Sequence, residues 1–296
     1  MTKQSFNISQ IGEFGLIDAL KKYAPLSKSV IKGIGDDAAV LPYSQKEYLL
    51  FTTDMLAEGT HFTQAMPPQA IGHKALACNI SDIAAMGGVP TFAVISIGVP
   101  KKISVSYIKD LYKGMRQTAR AFNVSIVGGD TIKTEKIVIN IALLGKVEKK
   151  FLVTREGAKP GDWIFVTGSL GGSFKSGRHL NFTPCLPQAR FLVENFKPNA
   201  MMDISDGLAG DLGHILKASR VGARLDLESV PRHKGASLSQ ALNDGEDFEL
   251  LFTLSAQRSR ALMDWQAKQK SFYFYPIGTI TADVKEKIHS KSFTHF

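Results

Sequence analysis

Apolar positions along the chain fall into two patterns. Short runs rich in Val, Ile, Leu, Phe and Thr read as strands, and longer stretches with apolar residues three and four apart read as helices. The first pattern predicts strands over 48–53, 91–99, 124–127, 137–147, 163–167, 223–227, 248–253 and 272–278, a short strand ending at Leu41 before Pro42, and one ending at Asp203. The second predicts helices over 8–23, 68–86, 105–122, 208–219 and 255–268. Ile11, Phe14 and Leu20 give the first helix an imperfect apolar face, Asn7 or Ser9 its cap, and Pro25 its end. Asp54 is expected at the C-terminal end of its strand. Gly128-Gly129-Asp130-Thr131 is expected as a turn after the strand over 124–127.

The pattern pauses at Lys149-Lys150 and restarts after a turn cluster at 157–162. Two domains follow, 1–148 and 149–296. Strands alternate with helices in both, so the class is α/β (α+β). No short-period repeat or low-complexity segment interrupts them.

Composition narrows the setting. The chain has 296 residues, 44% of them hydrophobic and 21% charged, ordinary for a soluble protein with two cores. Its start is polar, without the apolar region of a signal peptide, and no apolar run is long enough to span a bilayer. The two cysteines, Cys78 and Cys185, are far apart and lack metal-type spacing, which suits a reducing cytoplasm. A net charge of +9 points to polyanionic partners. The positive residues are scattered, which favours a solvated basic surface over a nucleic-acid groove.

The candidate chemistry lies in the carboxylates. Asp36-Asp37, Asp54, Asp82, Asp130, Asp203 and Asp206 each sit at a strand end, in a glycine turn or on an apolar helix. Hard oxygen donors in number, without a His/Cys cluster, suit Mg²⁺ rather than Zn²⁺. Mg²⁺ on several carboxylates commonly also holds substrate phosphates, so metal-dependent phosphate chemistry in a cleft between two domains is expected. Two glycine motifs do not compete. Gly33-x-Gly35-x-x-Ala38 would place Asp36 and Asp37 against a pyrophosphate, and Pro42 follows too soon for the helix that a dinucleotide fingerprint opens. The stretch over 172–179 has P-loop spacing but lacks the Lys and Ser/Thr that must follow.

Seven short motifs then occur in order: Gly-Ile-Gly-Asp-Asp-Ala-Ala-Val at 33–40, Thr-Thr-Asp-Met at 52–55 with His61-Phe62 after it, Asn-Ile-Ser-Asp-Ile-Ala-Ala-Met-Gly at 79–87, Gly-Gly-Asp-Thr at 128–131, Gly-Ala-Lys-Pro-Gly-Asp at 157–162, Asp-Ile-Ser-Asp-Gly-Leu at 203–208 and Gly-Glu-Asp-Phe-Glu-Leu at 245–250. Together they resemble the thiamine-monophosphate kinase family, in the superfamily of aminoimidazole ribonucleotide synthetase. The resemblance runs from about Glu13 to the C-terminus. It implies a two-domain fold of that superfamily, a homodimer built by pairing N-terminal sheets, and ATP-dependent phosphorylation of thiamine monophosphate to thiamine diphosphate, the last step in making that cofactor. It implies several Mg²⁺ ions on Asp37, Thr52, Thr53, Asp54, Asp82, Asp130, Asp203 and Asp206. ATP would meet Tyr112, Gly129, Asp130, Arg155 and Ser205, and thiamine monophosphate would meet His61, Glu246 and Phe293. The stretch after Gly172 and the C-terminal tail are both shorter than is usual in the family.

The acceptor is a phosphate monoester, largely ionised at neutral pH because its second pKa is about 6. No general base is expected; charge repulsion between two polyanions is the obstacle, and metal ions answer it. Two other functions fit parts of the sequence: a sister enzyme using ATP on another acceptor, and a non-catalytic Mg²⁺-dependent nucleic-acid binder suggested by the net charge.

Overall fold

Two five-stranded sheets divide the chain in a computed structural model, which describes residues 7–269 and 271–286. The first sheet holds β1 (Ala39–Pro42), β2 (Glu47–Ala57), β3 (Val89–Val99), β4 (Ser125–Lys133) and β5 (Val138–Glu148), in the order β1-β2-β5-β3-β4. Neighbours are antiparallel except β3 and β4, which run parallel and are joined through a helix. That helix, α3 (Val105–Ala121), and α2 (Pro68–Ala85) lie with the first core. Strand alternation turns Leu50, Thr52 and Leu56 inward and leaves Phe51 and Met55 exposed. The two helices approach closely because both contribute glycine. A Cβ on Gly72 would fall 2.0 Å from the Leu111 carbonyl oxygen, and one on Gly114 1.9 Å from that of Gln69.

The second sheet is antiparallel throughout, with β6 (Trp163–Val166), β7 (Ala200–Asp203), β8 (Gly222–Leu225), β9 (Leu250–Leu254) and β10 (Tyr275–Thr281) in the order β7-β9-β6-β10-β8. The longer helices of this half are α5 (Leu186–Asn195), α6 (Leu208–Ser219) and α8 (Ala256–Gln266); α4 (Ser173–Ser176) and α7 (Leu238–Asn243) are short. A third apolar cluster joins the halves. Ala84 and Ala85, at the end of α2, pack with Phe165, Leu192, Phe252 and Phe274.

Three expectations change. β2 continues to Ala57, paired residue for residue with β5, so Asp54 lies within the strand rather than at its end. The Gly-Gly-Asp-Thr stretch is not a turn: it pairs with β3 as part of β4, and glycine is needed because a Cβ on Gly129 would sit 1.8 Å from the Ile95 carbonyl oxygen. Finally, α1 (Ile8–Lys21) forms with Asn7 as its cap, but it is broken at Gly12 (φ 64) and has no buried residue. It reaches across to α6, where the Phe14 ring lies 4.4 Å from that of His214 and Lys217 pairs with Asp18 at 3.3 Å.

Candidate active site

A cleft of about 670 Å³ opens between the two halves. Three carboxylates at its base come from three places: Asp37 from the glycine turn before β1, Asp82 from α2, and Asp203 from the end of β7. One oxygen from each lies within 4.8 Å of the others. Polar neighbours fix each one. Arg155 donates through Nε (3.1 Å) and Nη2 (2.5 Å) to Oδ1 of Asp37. Thr52 Oγ1 lies 2.5 Å from Asp82 Oδ2, and Ser81 Oγ donates to Asp203 Oδ2 at 2.6 Å. The Asp54 amide donates to Asn79 Oδ1 (3.2 Å), which fixes the strand beside the helix. Asp36 is engaged differently. Its Oδ1 accepts from the amides of Arg155 (3.1 Å) and Asp37 (3.3 Å), and Lys32 stands 3.6 Å from Oδ2.

Gathering these acids away from water raises their pKa values. Burial and then the Asp37 charge push Asp203 up to about 8. Burial, then Asp37 and Asp206, push Asp54 up to about 6, and burial with Asp37 does the same to Asp36. Asp82 is pushed well up by burial and by Asp54 and Asp203. Burial also raises Asp37, against the pull of Arg155. Burial alone would lower Arg155, but Asp37 overcomes it, so the guanidinium stays charged. Such a group strains towards protonation until a cation joins it.

A second group, Asp206, Asp211 and His214, lies further along the cleft. Gly207 (φ 105) turns the chain from β7 into α6, and the Asp206 amide donates to Asp211 Oδ2 at 3.1 Å. Asp211 is buried. Burial lowers His214 to about 4, with Arg155 and Lys217 adding to the effect.

The cleft is also lined by His61, Lys74, Cys78, Glu246 and Phe248. The Ala57 amide donates to His61 Nδ1 (3.0 Å), which leaves the proton of the neutral ring on Nε2. Phe248 stacks on Phe182, ring centres 4.1 Å apart.

Asp37, Thr52, Asp54, Asp82, Asp203, Asp206, Arg155, Ser205, His61 and Glu246 all border this cleft. Thr53 borders it too, but alternation turns its side chain to the other face of β2, where Oγ1 donates to Asn140 (3.1 Å). Tyr112, Gly129 and Asp130 are not among its lining residues. Tyr112 packs against the first core from α3. Asp130 is exposed on the edge strand β4, where its Oδ1 accepts from the Thr131 amide (2.8 Å). Asp54, Ile141, Ile95 and Gly129 stand in one row across the sheet, so Asp54 and Gly129 are three strand spacings apart, about 14 Å. Phe293 lies outside the described residues. Lys74, Asp211 and Phe248 were missed by sequence reasoning. Lys74 did carry a signal, as a lone lysine within an otherwise apolar helical stretch.

Known proteins resemble this chain in sequence and in fold. The family model described as AIR synthase related protein, N-terminal domain, matches residues 35–147, and the corresponding C-terminal domain matches residues 180–291. The chain is 36% identical over 287 residues to the thiamine-monophosphate kinase of Aquifex aeolicus, covering 87% of this chain and 90% of that one. It is 35% identical to the Bacillus subtilis thiamine-monophosphate kinase, covering 94% and 93%. The solved structure described as AaThiL complexed with AMPPCP and TMP superposes with a TM-score of 0.86 at 33% identity, covering 99% of this chain and 100% of the other.

Proposed function

We infer the function from what these matches establish: the chain belongs to the thiamine-monophosphate kinase family of AIR synthase related proteins. It transfers the γ-phosphoryl group of ATP to the phosphate of thiamine monophosphate, giving ADP and thiamine diphosphate. The observation that carries this is the trio of buried Asp37 and Asp203 with half-buried Asp82, drawn from both halves at the base of one cleft.

The donors suit Mg²⁺. They are all oxygen, they are gathered within a few ångströms, and Oδ2 of Asp37 is buried without a hydrogen-bond partner. We assign Asp37, Asp82 and Asp203 to hold it, with Thr52, Asp54 and Asp206 serving further ions along the cleft. When bound, Mg²⁺ screens the two polyanions and stabilises charge on the leaving diphosphate. The chain's own residues do the rest. Arg155 favours the charged form of Asp37 against the pull of burial and holds its orientation, and the Ser81 hydroxyl does the same for Asp203. A phosphate oxygen of thiamine monophosphate forms the new bond to Pγ as the bond to ADP breaks. That oxygen is already ionised, so no side chain need take a proton. His61 and Glu246 are assigned to the acceptor.

A homodimer is the second part of the proposal. The open face of the first sheet exposes Phe51, Phe92, Met55 and Val94, a patch of the kind that marks an interface. Past Phe51, β2 has no neighbour on its β1 side among the described residues, and β4 likewise has a free outer edge. Pairing β4 of one copy with β2 of another would cover both edges and bring Asp130 of one copy towards Asp54 of the other. That gives Gly129, Asp130 and Tyr112 a cleft to serve. The cytoplasmic assignment is retained, since both cysteines are buried free thiols.

The test is direct. Purified protein with ATP, Mg²⁺ and thiamine monophosphate should yield equal amounts of ADP and thiamine diphosphate by chromatography. ADP release without thiamine diphosphate would overturn the acceptor assignment.

A further inference from the structure

Lys74 is a lysine without exposed surface that nonetheless borders the cleft. Its Nζ donates to the carbonyl oxygen of His61 (3.1 Å) and to Oε1 of Glu246 (2.5 Å). These two partners belong to opposite walls: His61 follows β2 in the first half, and Glu246 lies in the loop before β9 in the second. Lys74 therefore ties the walls together from inside.

The loop it grips is unusual. Gly245 (φ 70), Glu246 (φ 55) and Phe248 (φ 52) all adopt the left-handed backbone conformation, which a bulky residue such as Phe resists. Several bonds hold the loop there. The amides of Glu246 and Phe248 donate to the carbonyls of Ser205 (2.7 Å) and Ile204 (2.8 Å), next to Asp203 and Asp206. Asp247 accepts from Arg178 (2.7 Å) and from the Gly171 amide (2.8 Å). Phe182 backs the Phe248 ring. Strain sustained by so many contacts points to a functional constraint. Stability alone does not explain Lys74, because a buried ion pair is often no more stabilising than an apolar residue of similar size.

We propose that Lys74 is a positioning residue for the acceptor: through Oε1 of Glu246 and the His61 carbonyl it holds Glu246, His61 and Phe248 as one rigid surface for an acceptor with a flat, cationic ring. This rests on the acceptor assignment made above. Glu246 supplies the negative charge, Phe248 the aromatic edge, and Lys74 fixes where both stand.

The test compares wild type with Lys74→Gln, Lys74→Arg and Lys74→Met, the last also in a Glu246→Gln background. KM for each substrate is measured, with calorimetric binding of thiamine monophosphate alongside. Losing a charge-assisted hydrogen bond should raise the KM for thiamine monophosphate in Lys74→Gln by about ten- to a hundredfold, while the KM for ATP stays within about twofold. Lys74→Arg should recover most of the loss. Lys74→Met should add little once Glu246 is already Gln, because the two act as a unit. A Lys74→Gln protein that binds thiamine monophosphate as wild type does, or that loses both substrates equally, overturns the inference. If Lys74→Met fails to fold, the Gln and Arg variants decide the question. Wild type that binds thiamine monophosphate without turning it over overturns the proposed reaction and leaves the inference to the binding data. Wild type that does neither overturns both.

Discussion

Ser81 and Asp203 meet across the seam between the two sheets: the hydroxyl of Ser81, on α2, donates to Oδ2 of Asp203, at the end of β7, over 2.6 Å. A hydrogen bond to a carboxylate favours its ionised form and fixes its orientation. Ser81→Ala should therefore raise the Mg²⁺ concentration for half-maximal activity by about tenfold, the lower end of what a charge-assisted bond contributes. A Mg²⁺ titration at saturating ATP and thiamine monophosphate checks it. An unchanged midpoint would mean that Asp203 does not hold the ion.

Asp36 and Asp37 are neighbours with different surroundings. Asp37 joins Asp82 and Asp203, whereas Asp36 is occupied by two backbone amides and stands near Lys32. Asp37→Asn should cost turnover on the order of a hundredfold or more, as loss of a charged ligand at a phosphoryl-transfer site does. Asp36→Asn should cost less turnover and act more on thermal stability. Steady-state rates and melting curves of the two variants separate the effects; the reverse order would move the metal assignment to Asp36.

The acid cluster should make stability depend on pH and on metal together. Without an ion, Asp54 ionises near 6 and Asp203 near 8, against about 3.9 in an unfolded chain. Both folded values are raised, so the contribution of these groups is fully present below about pH 4 and is lost as pH rises through 6 and 8. In EDTA the Tm should fall between pH 5.5 and 8.5, and Asp203→Asn should flatten the upper part of that fall. Mg²⁺ should raise Tm more at pH 8 than at pH 5.5, because fewer protons must leave. A Mg²⁺ shift independent of pH would contradict the cluster as its binding site.

Mixing inactive variants tests the two-copy site. If Asp130 serves its partner's cleft, refolding Asp54→Asn with Asp130→Asn in equal amounts yields mixed dimers in which one cleft carries both lesions and the other carries none. Activity should return to about a quarter of wild type, from the arithmetic of random pairing in a two-fold dimer. If Asp130 serves its own cleft, every cleft keeps one lesion and activity stays low.

Much of this site was legible in the sequence because buried carboxylates are conspicuous. Asp82 stands within an apolar helix, and Asp37 and Asp203 sit beside apolar runs in or next to glycine turns, and all three meet in the cleft. The long periodic elements, α2, α3, β3 and β5, were legible for the same reason. Gly128-Gly129 misled because glycine usually marks a turn, while here it admits the Ile95 carbonyl within a strand. Asp54 appeared to end its strand because the aromatic and β-branched run stops at Thr53 and Glu58-Gly59 follow closely; pairing of Met55, Leu56 and Ala57 with β5 carries the strand on. Lys74 could not be interpreted from sequence, since its partner Glu246 lies 172 positions away.

The seam also sets an order of events during synthesis. Ser81 and Asp203 are 122 positions apart, and at about 5–20 residues per second a ribosome takes roughly 6–24 seconds to pass from one to the other. Throughout that interval the emerging chain carries Asp37 and Asp82 but not Asp203. A nascent chain thus has two of the trio to offer a cation, and the three-carboxylate site proposed for Mg²⁺ would be complete only when β7 docks against α2. If the trio holds Mg²⁺ as proposed, metal capture would be a late checkpoint on complete folding rather than an aid to its beginning.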